Sequence, residues 1–167
     1  MASPVNGRTA ALGLQLAQAH RELRRRLADV RTGLGRRRLD DDVLLTHCLA
    51  FCTALTNHHQ GEDEGLFTAL VRERPDLAPT VATLVEDHGF ISRILTRVRE
   101  LAEQGAATPG ADLEAIGREL DGLAAIMESH FRYEERAIGA ALDAGVRDQD
   151  HWSEPVLRLR APSKPSP

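Results

Sequence analysis

Apolar residues recur at intervals of three and four along four long segments of the chain. This spacing places them on one face of an α-helix and predicts four amphipathic helices. The first helix is expected to end near Gly33, the second to run from Asp40 to just before Pro75, the third to end at Gly105 and the fourth near Gly145. No segment alternates apolar and polar residues over a useful length, so the pattern predicts no sheet.

The short connections between these helices favour antiparallel neighbours. We therefore predict an all-α fold, an up-down-up-down antiparallel four-helix bundle over residues 1–150. A short C-terminal tail is expected at residues 151–167. Its proline content predicts partial disorder, from Ala161 onward. The single tryptophan, Trp152, lies in this tail, and we expect it to dock on one end of the bundle.

Polar residues interrupt the apolar faces of all four helices. Each stands at a position where the helical spacing calls for an apolar residue, and burying it without a partner would cost several kcal/mol. A coordinated dication would supply that partner. The residues that we expect to bind metal are His20, His58, Glu62, His88, His130 and Glu134.

Two pairs among them share the spacing His-x3-Glu, His58 with Glu62 and His130 with Glu134. Residues four apart stack on one helical face, so each pair can present an imidazole and a carboxylate to the same point. Such ligands without thiolate suit iron, manganese or zinc. Four imidazoles with two bridging carboxylates indicate a dinuclear centre, which we expect to hold two iron ions with a bridging oxo or hydroxo group.

These motifs, taken in order over about residues 10–145, resemble those of the hemerythrin-like family, the histidine-histidine-glutamate cation-binding domain. The resemblance implies a four-helix bundle around a non-haem di-iron centre that meets O2, H2O2 or nitric oxide. It also implies that the six residues are the ligands and that the two glutamates bridge the irons. The matching pieces are Gln18–Leu23, His58–Phe67, Glu86–His88 and His130–Glu135.

The third helix departs from the oxygen-carrying members of that family, which place two histidines four residues apart there. Here Leu84 stands four residues before His88, and Ser92 stands four residues after it. One metal is therefore expected to lack a nitrogen ligand, and a water, a hydroxide or another side chain would fill the position. This departure argues against reversible O2 carriage and favours a more open, more reactive metal.

On two helices, adjacent residues compete for the same predicted ligand position. His59 and Asp63 form a rival pair one residue out of phase, but the inward stripe favours His58 and leaves His59 a flanking role, with ligation as the alternative. On the fourth helix Glu134 is favoured over Glu135, because five residues turn a regular helix too far. A π-bulge would reverse that choice.

Other candidates have two interpretations each. Tyr133, the only tyrosine, is either a packing residue or a hydrogen-bond donor or substitute ligand at the metals; no catalytic residue is assigned. Asp87 and Glu128 either steady the imidazoles as hydrogen-bond acceptors or lie on a solvated face. His47 precedes His58 by ~16 Å of helix rise, too far to share a metal.

Composition excludes several classes of partner. The net charge is −4 and no aromatic residues interleave with the arginines of the first helix, so we expect no nucleic-acid partner. No apolar run approaches the length of a membrane span, and the N-terminus lacks a signal-like apolar region, so we expect a cytoplasmic protein.

The only cysteines, Cys48 and Cys52, are expected to be reduced and to pack as small apolar residues.

The sequence thus predicts a non-haem di-iron oxidoreductase, peroxidase-like, catalase-like or nitric oxide-processing, that binds and reduces a small diatomic or peroxide ligand with electrons from an unknown donor. Two other classes stay open. One is a module that binds, stores or senses iron or O2 without turnover. The other is an oxidase or oxygenase of an organic metabolite, for which space is required beside the small residues Gly61, Gly65, Ala124 and Ala125.

Overall fold

The computed structural model describes residues 11–36, 41–107 and 113–159. Helix α1 spans Leu12–Arg36. The second long helix consists of α2 (Asp41–Gly61), a π-helical turn (Glu62–Leu66) and α3 (Phe67–Glu73). A 3-10 turn at Pro75–Leu77 leads into α4 (Ala78–Ala107), and α5 (Leu113–Asp143) and a short α6 (Gln149–Leu157) follow. Within these ranges there is no strand.

The four long helices pack as an antiparallel bundle, which confirms the predicted fold class. Helices α1 and α4 each contact both α2 and α5, so every long helix has two neighbours around a closed ring. None of the described helices combines the length and the apolar composition that a membrane span requires.

Two apolar clusters fill the bundle interior, one on each side of a polar layer. The first apolar cluster includes Leu23 of α1, Leu55 of α2, Ile91 of α4 and Leu123 of α5. The second apolar cluster includes Leu16, Leu66, Leu84 and Ile138 from the same four long helices. On each helix the predicted metal ligands fall between the residues of the two clusters. The sequence therefore places those ligands at one level of the bundle.

Two helix ends differ from the prediction. Helix α1 continues past Gly33 to Arg36, because Leu34 extends its buried face. Gly33 lies inside α1 and faces α2, where a Cβ would lie 2.7 Å from Leu44 Cδ2. Helix α4 likewise continues beyond Gly105, whereas α5 ends close to the predicted position, with Gly145 at a φ of +102°.

Part of the predicted tail is a sixth helix that packs on the bundle. Helix α6 contacts α1, α2 and the π-helical turn. Trp152 is buried in the second apolar cluster, and its indole N–H donates to the carbonyl oxygen of Arg147 at 3.0 Å. The segment from Ala161 onward, expected to be disordered, lies outside the described residues.

Helix α6 also fills the space that two of the small residues were expected to leave. A Cβ at Gly65 would lie 2.6 Å from Trp152 Cβ, and one at Gly61 would lie 2.9 Å from Pro155 Cβ. Glycine at these positions therefore permits a close contact between the second long helix and α6. Ala124 packs against the first apolar cluster and Ala125 is exposed.

This contact predicts opposite effects for two glycine substitutions. Gly65→Ala forces a methyl group against the rigid start of the Trp152 side chain, and we expect it to lower the free energy of unfolding by about 1–3 kcal/mol. The control Gly122→Ala lies on α5 with open space around its Cβ position. It should raise the stability by about 0.5–1 kcal/mol, because alanine favours the helix. Urea unfolding of both variants checks this, and equal effects would contradict the close packing of α6.

Candidate metal centre

Seven buried polar side chains form one layer across the bundle, hereafter the polar layer. Their side chains meet between the two apolar clusters, and all six residues predicted as metal ligands are among them. The seventh, His59, was expected to flank the site. The residues of the polar layer are His20, His58, His59, Glu62, His88, His130 and Glu134.

Two imidazoles are oriented by hydrogen bonds from the outer ring nitrogen. His58 Nδ1 lies 2.8 Å from the carbonyl oxygen of Val156 on α6. A carbonyl oxygen can only accept, so His58 Nδ1 carries the proton and Nε2 faces the interior. His20 Nδ1 similarly donates to Glu135 Oε1 at 3.0 Å. The predicted tail therefore supplies an acceptor that fixes the orientation of a predicted ligand.

The other two predicted histidines donate to aspartates at the edge of the bundle. His88 Nδ1 lies 2.7 Å from Asp63 Oδ1, and His130 Nδ1 lies 3.1 Å from Asp87 Oδ2. Hydrogen bonds of this kind fix the tautomer and ring orientation of metal-bound histidines. All four imidazoles thus present Nε2 to the centre of the polar layer.

In the neutral tautomers that these outer hydrogen bonds select, the atoms that meet in the centre are all hydrogen-bond acceptors. His88 Nε2 and His130 Nε2 lie 3.0 Å apart, and His58 Nε2 contacts Glu62 Oε1. When Nδ1 carries the only ring proton, two lone pairs face each other in each contact and repel. A positive charge is required between them, either as additional protons or as metal ions. The buried atoms with no hydrogen-bond partner include His20 Nε2, His58 Nε2, His59 Nε2 and both oxygens of Glu62 and Glu134.

Each buried glutamate faces histidines on two sides. Glu62 contacts His58 Nε2 through Oε1, and its Oε2 lies 3.3 Å from His88 Nε2. Glu134 Oε2 lies 3.2 Å from His20 Nε2 and 3.7 Å from His130 Nε2. Three trios have ligand atoms within 4.8 Å of one another: His20–His58–Glu62, Glu62–His130–Glu134 and His59–His88–His130. These groups of buried imidazoles and carboxylates could hold metal ions.

Without metal, the polar layer holds protons. Burial alone would lower the pKa of His20, but the carboxylates of Glu134 and Glu135 raise it to about 9. Asp63 and Glu62 likewise outweigh burial and raise the pKa of His88 to about 10. Burial and the nearby charge of Glu62 raise the pKa of Glu134 to about 8. Protons therefore compete with metal ions for these atoms.

The structure brings Glu134 rather than Glu135 into the polar layer. Helix α5 is α-helical throughout Leu113–Asp143, so the residue four after His130 faces inward. Glu135 is partly exposed and accepts the His20 hydrogen bond. A π-helical turn does occur, but it lies on the second long helix and begins at Glu62. Such turns are frequent at functional sites.

The remaining candidates lie outside the polar layer. Tyr133 is half-buried and packs against the second apolar cluster. Glu128 forms ion pairs with Arg24 and Arg132, whereas Asp87 does accept a hydrogen bond from a histidine of the layer. His47 is exposed, as is His151 of α6, and the thiols of Cys48 and Cys52 are buried and unoxidised.

Sequence reasoning did not single out three contributors to the site. Phe131 stacks on the His20 ring, with centroids 3.8 Å apart and planes 6° from parallel. Val156 contributes only a backbone oxygen, which no side-chain pattern reveals. Asp63 was considered only as part of a rival ligand pair, although its spacing to Glu62 places it at the edge of the same turn.

A protein-family model matches most of the chain. It is that of the Hemerythrin HHE cation binding domain, and it matches residues 15–142. These residues contain all of the polar layer but not α6. No curated protein and no solved structure matches the chain.

The proton-holding layer predicts that the metal-free protein loses stability as the pH rises. The folded pKa of His20 (about 9) lies above its usual 6.5, so its contribution is present below pH 6.5 and lost as the pH passes 9. His88, with a pKa of about 10, and Glu134, raised from 4.5 to about 8, act with the same sign. Chelator-treated protein should therefore melt lower at pH 9.5 than at pH 6.5. Metal-loaded protein should show a flatter profile, and a rising melting temperature would contradict this account.

The outer hydrogen bonds predict a difference between two acidic residues. Asp87→Ala removes the acceptor that orients His130, and we expect metal affinity to fall about 10–100-fold. The control Glu128→Ala removes an acid that pairs with arginines, and metal affinity should stay unchanged. Competition of Zn²⁺ binding against a chelator measures both values. Equal effects would mean that Asp87 does not act through the metal centre.

Proposed function

Because the chain belongs to the hemerythrin HHE cation-binding family, we propose that it is a non-haem di-iron protein that binds and reduces a small oxidant such as H2O2, O2 or nitric oxide. One observation carries the proposal. The centre of the bundle is a buried set of imidazole nitrogens and carboxylate oxygens that lack hydrogen-bond partners. Unpartnered buried groups of this kind are costly, and coordination to cations removes the cost.

The donor set fits two iron ions. Imidazole and carboxylate ligands suit iron, and the layer contains no thiolate. Glu62, whose two oxygens lie near His58 and His88, and Glu134, which lies between His20 and His130, would hold the ions together with these imidazoles. When bound, such a pair supplies two electrons, the number that converts one H2O2 and two protons to two waters. An electron donor must replace them.

The surroundings of the layer favour a small oxidant over an organic metabolite. Apolar clusters seal both sides, Phe131 covers His20, and α6 covers the π-helical turn. Surface cavities of about 330–560 Å³ are lined by residues outside the polar layer. The groove beside Gly61, the nearest of them along the chain, lies between α2 and α6. A molecule of two to four atoms, such as nitric oxide, O2 or H2O2, is therefore the better match to this interior.

One edge of the layer connects it to solvent. The side chains of Asp63 and Asp87 are 34% and 32% exposed, and they hold the Nδ1 protons of His88 and His130. Reduction of peroxide to water consumes two protons. These two aspartates are placed to hold protons between solvent and the imidazoles while they keep each Nε2 directed inward.

Peroxide consumption by iron-loaded protein tests the proposal. We expect Fe²⁺-loaded protein to consume H2O2 over many turnovers when a chemical reductant is supplied. Glu62→Ala and Glu134→Ala should lose the second iron and slow consumption by at least about 100-fold, since loss of an outer hydrogen bond alone costs about 10–100-fold. Glu64→Ala is the matched control, because Glu64 lies exposed in the same π-helical turn.

Parallel detection of O2 separates the possible reactions. Disproportionation of H2O2 releases O2, whereas reduction by the added donor releases none. A stable oxygenated form without turnover of peroxide or nitric oxide would contradict the proposal and indicate a binding module. Wild-type iron content retained in both glutamate variants would contradict the bridging assignment.

A further inference from the structure

We propose that His59 is a fifth imidazole ligand, which binds the metal shared with His88 and His130 in place of a second histidine on α4. The inference rests on the proposed dinuclear centre and extends it, because the position expected to stay open would be filled from α2. It would give that metal three imidazole nitrogens and leave the other metal two, from His20 and His58.

The position of His59 carries the argument. Its side chain is 6% exposed, and its Nε2 is buried without a hydrogen-bond partner. One ring nitrogen lies within 4.8 Å of ligand atoms of both His88 and His130. The His59 ring stacks on His88, with centroids 3.9 Å apart and planes at 16°, and meets His130 edge-on at 5.4 Å. A buried imidazole that has an unpartnered nitrogen and lies this close to ligand atoms of two other histidines is positioned to act as a ligand.

Helix geometry explains how neighbouring residues can serve different metals. Consecutive residues on an α-helix point about 100° apart, so they cannot easily reach one ion. The rings of His58 and His59 are 5.5 Å apart and tilted by 49°. His58 belongs to the trio with His20 and Glu62, whereas His59 belongs to the trio with His88. Two adjacent ions are the arrangement that uses both rings.

Neither residue four positions away from His88 on α4 can fill this position. Leu84, four residues before His88, is buried in the second apolar cluster. Ser92, four residues after His88, is exposed. In the described part of the chain, five histidines reach the polar layer. Four of them are predicted ligands, and His59 is the fifth.

A ligand role and a packing role for His59 predict opposite effects on the metal-free protein. If His59 is a ligand, His59→Leu removes an unpartnered buried nitrogen and keeps the volume, so the metal-free protein should melt at the same or a higher temperature. If His59 only supports the fold, the metal-free variant should melt lower. The two roles also differ in the effect of added metal. If His59 is a ligand, metal should raise the melting temperature of the variant less than that of wild type, whereas a packing role predicts the same increase in both.

The experiment uses Co²⁺, titrated into metal-free wild type, His59→Leu and the control His47→Leu, in which an exposed histidine is replaced. We expect wild type and His47→Leu to bind two ions per chain. His59→Leu should bind one ion with unchanged affinity and the second at least 10-fold more weakly, with altered visible bands for that ion. If His59→Leu does not fold, His59→Gln, which keeps a polar group of lower basicity, should show the same selective weakening.

The outcomes separate this inference from the function on which it rests. Two ions of wild-type affinity and unchanged bands in the His59 variants would overturn the ligand role alone. Fewer than two ions in wild type would overturn the dinuclear centre together with this inference. Wild type that binds two ions, loses one in His59→Leu and yet consumes no oxidant would support the ligand role and contradict the proposed function.

Discussion

Seven polar side chains lie at one buried level of this bundle, and their lone pairs repel one another unless positive charge lies between them. The rest of the structure depends on that constraint. Lone pairs of Nε2 atoms and carboxylate oxygens meet within the bundle without donors between them. In an apolar interior this repulsion would be prohibitive unless protons or metal ions neutralise it. Because metal ions can occupy the same places as the protons, binding a metal and stabilising the fold are two aspects of one equilibrium.

The hydrogen bonds around the layer determine what its atoms can do. Four imidazoles donate outward, to acids of α5, the π-helical turn and α4 and to a carbonyl oxygen of α6. These acceptors come from different elements, so the correct tautomers depend on the assembled bundle and not on any single helix. The two aspartate acceptors lie on the solvent edge, whereas the His58 acceptor is buried. Solvent therefore reaches the polar layer more closely at His88 and His130 than at His58.

The fold and most of the site could be predicted from the chain because both depend on helical spacing. Leucines and predicted metal ligands recur with the same helical period, so the face that carries Leu55 and Leu66 also carries His58 and Glu62. The burial of His59 could not be predicted, because an adjacent residue lies out of phase in a single regular helix and reaches the interior only through the packing of α2 against α4. Glycine often follows the last residue of a helix, but Gly33 lies inside α1 and faces Leu44 of α2. Helix α6 was missed because Pro155 and the surrounding residues are typical of a loop, whereas tertiary contacts of Trp152 stabilise a helix.

The carbonyl oxygen of Val156 has a consequence for the order of events during synthesis. A chain emerges from the ribosome N-terminus first, and α6 follows every other helix described here. Until α6 docks, the Nδ1 proton of His58 lacks the carbonyl oxygen that fixes its tautomer here, although the four long helices have already been made. The final orientation of the His58 imidazole is thus reached only after residue 156 has been synthesised and α6 has packed on the bundle.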